Sequence, residues 1–172
     1  MHKVALYATP NRLWRHLVTD RADIHRALPP EALARIEQII AEGEARHAGQ
    51  VCFAIEAALP LPRVWRGMTP RERALEVFGS LRVWDTDGND GVLVYVLLAD
   101  RDVEIVADRG IHAYVGDGGW QAICDTMQVA FRAGRYAEGI EQGIRAVGDL
   151  LAVHSPRTGS ERNELSDKPI LL

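Results

Sequence analysis

Residues 91–99, GVLVYVLLA, contain no charged side chain, and they constrain this chain more than any other segment. A strand with one wet face alternates polar and apolar residues, whereas a strand apolar on both faces must be covered on both. Helices are therefore expected on each side of a sheet in which 91–99 is central. After Asp100-Arg101 comes a second strand pattern, DVEIVAD at 102–108, and so short a link forces an antiparallel hairpin. Upstream, QVCFAIEAA at 50–58 is rich in β-branched and aromatic residues and predicts another strand. A helical segment separates it from 91–99, so these two strands are expected to run parallel through a right-handed crossover. The fold class that follows is α/β, with a mixed, mostly parallel sheet and an antiparallel hairpin.

Helical spacing accounts for most of the remainder. Thr9-Pro10-Asn11 predicts a helix start, and Leu13, Trp14, Leu17 and Val18 form a short apolar stripe behind it. Pro29-Pro30 is a break. Leu33, Ile36, Ile40 and His47 then predict a helix from Glu31 to about His47, ended by Gly49. The segment LPLPRVWRGM at 59–68 carries two prolines and reads as a loop, with Arg63, Trp65 and Arg66 as a surface cation–π patch. Thr69, Pro70 and Glu72 make a capping box at the next helix, whose apolar face is Ala74, Leu75, Phe78 and Leu81. Asp117 is placed to cap a helix with the stripe Trp120, Ile123, Cys124, Met127 and Phe131, ended by Gly134. A last helix runs from about Tyr136 to Val153, with Gly139 and Gly143 permitting close approach of a neighbour. After Pro156 the composition is that of a loop, and Ile170 to Leu172 could dock onto the body. The expected organisation is N-terminal helices over 1–49, a central domain over 50–153 and a tail over 154–172.

The formal net charge of -4, with no run of Lys or Arg, argues against nucleic acid as a partner. The apolar stretch Val4 to Ala8 is too short for a secretory leader, and no run reaches the roughly 18 apolar residues that span a bilayer. Cys52 and Cys124 fall at apolar positions and read as free buried thiols, which fits a reducing compartment. The expectation is a cytoplasmic protein without a membrane span.

The sequence DTDGND at 85–90 is the chief chemical candidate. An EF-hand loop begun at Asp85 needs glycine sixth and glutamate twelfth, and Asp90 and Val96 stand there instead. The Asp-x-Asp-Gly-Asn order shares residues with the nucleophile motif of haloacid-dehalogenase-type phosphatases, but there the motif follows a buried strand, and here it follows a helix. Two readings stay open. Asp, Asn and Gly make a turn because they tolerate the left-handed backbone and bond their own main chain. The same oxygens of Asp85, Asp87, Asn89 and Asp90 suit a hard divalent cation. Asp108, Arg109, His112 and Asp117 lie where a strand end meets a helix start, a common place for sites in α/β proteins. Ser80 and Ser155 have no neighbouring elbow or base that would mark an activated nucleophile.

Three segments together resemble the TPM-domain family: NDGVLVYVLLADRDVEIVADRGI (89–111), VGD (115–117) and FRAGRYAEGI (131–140). The resemblance covers about residues 50–153 and is nearest to the short bacterial branch. It implies a three-layer α/β/α sandwich. It also implies two activities described in the family, divalent-cation binding through loop acids and acid phosphatase activity. Carried onto this chain, the cation would be held by Asp85, Asp87, Asn89, Asp90 and Asp117. Gly116 stands where family members usually carry Thr, and the family's usual leader and membrane tail are not found here.

The leading expectation is a non-enzymatic accessory module that binds an unknown protein partner, with Ca²⁺ or another divalent cation ordering the 85–90 turn. The alternative is a metal-assisted acid phosphatase in which Arg109 and His112 hold the phosphate monoester.

Overall fold

The computed structural model describes residues 9–159 and 163–172; the stretch Val4 to Ala8 lies outside them. Seven helices and four strands are described, in the order α1 (Pro10–Val18), α2 (Arg21–Ala27), α3 (Pro30–Glu44), β1 (Val51–Glu56), α4 (Leu61–Trp65), α5 (Pro70–Ser80), β2 (Val92–Leu97), β3 (Asp102–Ala107), α6 (Arg109–Arg132), α7 (Tyr136–His154) and β4 (Ile170–Leu171). A 3₁₀ turn, Leu98–Asp100, joins β2 to β3.

Strand order is β3-β2-β1-β4. The pair β1–β2 is parallel from Val51↔Val92 to Glu56↔Leu97, and β2–β3 is antiparallel. The period of two along each strand divides the side chains between two cores. Val51, Phe53, Ile55, Val92, Val94 and Val96 pack with α2, α3, α6 and α7. Cys52, Ala54, Leu93, Tyr95 and Leu97 pack on the other face with Val64 of α4 and Ala74 and Val77 of α5. The expected sandwich around a mixed sheet is therefore observed, and 91–99 is buried along its whole length. The two thiols lie in different cores, one on each side of the sheet, so they stay free. Burial pushes each of them up to about 12.

Four local expectations change. The 59–68 segment is not all loop: Leu61–Trp65 forms a short helix, which Pro62 permits because proline in the first turn surrenders no helical hydrogen bond. Leu75 is half exposed, and Val77 takes its place in the core. The long helix begins at Arg109, capped by the Asp108 carboxylate accepting from the Arg109 amide, and not at Asp117. Gly116, at φ 69°, breaks the helical path just before Asp117. The tail contributes β4, which pairs with β1 in parallel through Ala54↔Ile170 and Ile55↔Leu171.

Two glycines are set by packing. A Cβ on Gly91 would stand 1.9 Å from the Val83 carbonyl oxygen, in backbone that has no room to retreat. On α7, a Cβ at Gly143 would fall 2.2 Å from Met127 Sδ of α6, which accounts for the close approach expected there.

Candidate functional site

The 85–90 turn is built by its own backbone and by three distant segments. Asn89 adopts φ 52°, the left-handed conformation that Asn tolerates. The Asp90 amide donates to Thr86 Oγ1 at 3.2 Å, and the Asn89 carbonyl accepts from the Ile111 amide at the start of α6. Asp90 is buried, and its carboxylate accepts from Ser155 Oγ at 2.7 Å, tying the turn to the end of α7. The Asp87 amide donates to Glu164 of the tail at 3.0 Å. Asp85 and Asp87 point their carboxylates outward; Asp85 stands 3.9 Å from Arg82. The predicted ligands thus divide into a committed structural acid, Asp90, and exposed ones. Among the described residues, no three His, Cys, Asp or Glu side chains gather in a group able to hold a metal ion.

Asp117 lies with a different set of groups. Its side chain is 96% exposed and stands 3.7 Å from His112 Nε2, across the Gly116 break. Both residues line a cavity of about 610 Å³ with Thr69, Arg71, Glu104 and Trp120. Arg71 Nη1 reaches Glu104 at 3.4 Å, and burial raises the Glu104 carboxyl above its ordinary value. Arg109 is exposed at the start of the helix and does not line this cavity.

The feature most unlike ordinary surface is on α1. This nine-residue helix is amphipathic, but it is mounted with its polar side inward. Arg12 and His16 are 3% and 4% exposed, while Trp14 and Leu17 are 62% and 60% exposed. Asp100, in the turn after β2, is the reason. Arg12 Nε donates to both Asp100 oxygens at 3.0 Å, and Arg12 Nη2 donates to Oδ2 at 2.7 Å. His16 Nδ1 accepts from the Leu59 amide at 3.0 Å, which leaves the ring hydrogen on Nε2 to donate to Asp100 Oδ1 at 3.2 Å. Burial opposes ionisation of Asp100, yet the hydrogen bonds from His16 and Arg12 and the Arg12 charge hold its carboxyl down to about 2. One buried carboxylate therefore turns the apolar stripe of α1 outward. There it meets α4, where Trp65 is 72% exposed. Leu13, Trp14, Leu17, Leu61, Pro62 and Trp65 wall a shallow groove of about 520 Å³ with almost no polar surface.

The stripe on α1 was visible in the sequence, but its direction was not. The signal that would have given it is the pairing of Arg12 and His16 with Asp100, more than 80 residues away.

The family model described as TPM domain matches residues 18–150. Among solved structures, the chain is similar to the BA42 protein from the psychrophilic bacterium Bizionia argentinensis. The two share 26% identity with a TM-score of 0.74, over 84% of this chain and 95% of that one. It is also similar in fold to the N-terminal domain of a protein from P. gingivalis, at 23% identity and a TM-score of 0.61, over 87% of this chain and 94% of that one. No curated protein matches the sequence.

Proposed function

The chain belongs to the TPM-domain family, and from that membership we propose that it works as a non-enzymatic binding module that docks a protein partner on the α1–α4 groove. The observation that carries this reading is the pair of exposed tryptophans, Trp14 and Trp65, on one apolar surface with Leu17 and Leu61. Contiguous apolar surface of this kind is uncommon on a monomer, and tryptophan is among the residues most enriched at interface hot spots. The occupant is a partner segment with apolar anchors and acidic flanks, because exposed Arg66 follows Trp65 directly. No helix among the described residues is long and apolar enough to cross a membrane.

The test is affinity enrichment with the full chain, followed by a binding titration against the one protein recovered. Trp14→Ala and Trp65→Ala are each expected to weaken binding by about 2 kcal/mol, roughly thirty-fold. Their melting temperatures should hold, since truncation of an exposed side chain leaves stability within about 0.5 kcal/mol. A partner retained by the double variant would remove the groove from the proposal. So would binding to anionic vesicles, or self-association, that accounts for the whole effect of the tryptophans. Turnover of a phosphate monoester abolished by Asp90→Asn would overturn the non-enzymatic reading and favour the phosphatase with Arg109 and His112.

We further propose that a divalent cation at the 85–90 turn is held by the outward Asp85 and Asp87 with main-chain oxygens. Two carboxylates suit the weak end of the calcium range, about 10⁻⁴–10⁻³ M. EDTA-treated protein is then expected to melt higher only at millimolar Ca²⁺, and Asp85→Ala with Asp87→Ala should abolish the shift. An identical shift in that double variant would reject these ligands.

A further inference from the structure

A further cavity, of about 500 Å³, lies beside α1, and its wall is cationic. Arg15, Arg26 and Arg101 line it, against one carboxylate, Asp23. That carboxylate is already occupied on both oxygens: Oδ2 accepts from the Asp20 amide at 2.9 Å, and Oδ1 accepts from Arg26. Arg26 is thus neutralised, and two guanidinium groups are in surplus.

The surplus at Arg15 follows from the buried clamp. Its Nη2 reaches Asp100 only at 3.4 Å, and Asp100 is already held by Arg12 at 2.7 Å and by His16. Arg101 has no ion pair among the described residues. Its residue is exposed, and its backbone sits in the left-handed conformation, φ 52°, at the tight β2–β3 turn, with the amide donating to the Leu98 carbonyl. Leu98 and Ala99 form the cavity floor just past the carboxyl end of β2, and the Ala99 amide donates to the Ala57 carbonyl just past β1. The carboxyl end of parallel strands is where open α/β sheets bind ligands. The Tyr136 hydroxyl completes the wall with Thr19, while Val18 and Ala27 make it partly apolar. This concentration of positive charge stands on a chain whose net charge is -4.

We propose that this cavity is a binding site for a small organic dianion, two carboxylate groups on a short apolar body, held by Arg15 and Arg101. The planar guanidinium fork matches a carboxylate through paired, charge-assisted hydrogen bonds. Two surplus forks, Arg15 on α1 and Arg101 in the β2–β3 turn, match two acid groups. The apolar side chains of Val18 and Ala27 in the same wall match the body of the ligand. The site is separate from partner docking and stands whether or not the tryptophan groove is used.

The test is a heteronuclear NMR titration of the full chain with succinate, acetate and inorganic phosphate at constant ionic strength. Succinate is expected to give saturable shifts at Thr19, Ala99, Arg101 and Tyr136. Arg101→Asn keeps a residue that tolerates the left-handed turn and should weaken binding at least ten-fold. Arg15→Gln should do the same, and Arg132→Gln, at an exposed arginine on α6, should not. Unsaturable shifts spread over the surface, or an unchanged affinity in Arg101→Asn and Arg15→Gln, would overturn the site. Acetate as tight as succinate would overturn the dianion, and phosphate as tight as succinate would overturn the organic carboxylate.

Discussion

Replacing Asp100 with alanine is expected to destabilise the fold by about 3–5 kcal/mol, the range for removing one partner of a buried ion pair. Arg12, with a guanidinium only 3% exposed, would lose the carboxylate that accepts its Nε and Nη2 hydrogens. His16, whose side chain is fully buried, would lose the acceptor of its Nε2 hydrogen. Chemical denaturation measures the effect directly. Arg12→Met combined with Asp100→Leu should recover much of the loss, because both charges leave together. If the double replacement is as unstable as Asp100→Ala alone, the ion pair is not what holds α1. The same interaction gives a pH dependence. Asp100 is held down to about 2 against an ordinary value of 3.8, so its contribution is complete above about pH 4. It is lost as pH falls through 2, by roughly 2 kcal/mol. Asp100→Asn should flatten that part of the profile. Loss of the clamp also releases the face that carries Trp14, so partner binding should fall with stability.

The second large effect is expected in the core that holds Tyr95, Ala74 and Val77. Glu56, at the end of β1, accepts from Tyr95 Oη at 2.7 Å and from Arg73 Nε and Nη2 at 2.8 and 3.1 Å. Burial, and after it the neighbouring Glu56 carboxylate, raises the Tyr95 phenol far above its ordinary value. Arg73 also reaches Glu76 at 3.0 Å, and Glu76 accepts from Arg63, which brings α4 into the same network. Glu56→Ala should cost about 2–4 kcal/mol, somewhat less than Asp100→Ala because Arg73 keeps partial access to water. Tyr95→Phe should cost about 1.5–3 kcal/mol, the range for a hydrogen bond to a charged group. A double-mutant cycle between Tyr95→Phe and Glu56→Gln checks the coupling. Strict additivity would mean that the two groups do not act on each other.

These two networks also show why the stable frame and the candidate surfaces differ in how readable they were. The strand 91–99 declared its own environment, because a run without charge can satisfy its side chains only between two helical layers. The hairpin at Asp100-Arg101, the capping box at Thr69 and Glu72, and the helix end at Gly134 are equally local. Each depends on backbone geometry within a few residues. The tail strand was harder. Ile170 and Leu171 are two residues long, and only the free edge of β1 makes them a strand.

The acidic turn was legible as a turn for the same local reason, since Asn89 supplies its own left-handed backbone. What each acid does was not. Asp90 turns inward because Ser155 lies within 2.7 Å of it, 65 residues along the chain. Asp117 falls beside His112 because the helix breaks at Gly116 and starts earlier than its pattern indicates.

What the sequence determined by itself was the α/β class and the parallel pair with its antiparallel hairpin, consequences of period, turn chemistry and capping within short windows; the family came from the resemblance of segments 89–111, 115–117 and 131–140. Only the tertiary structure decided which face of α1 meets water and where surplus positive charge collects. Asp100 holds Arg12 at 2.7 Å and His16 at 3.2 Å, and Arg15 only at 3.4 Å. Arg12 and His16 therefore go inward, Trp14 and Leu17 are left outside, and Arg15 is left over beside Arg101. Competition among several groups for one buried carboxylate is settled by three-dimensional reach, and no local pattern encodes it.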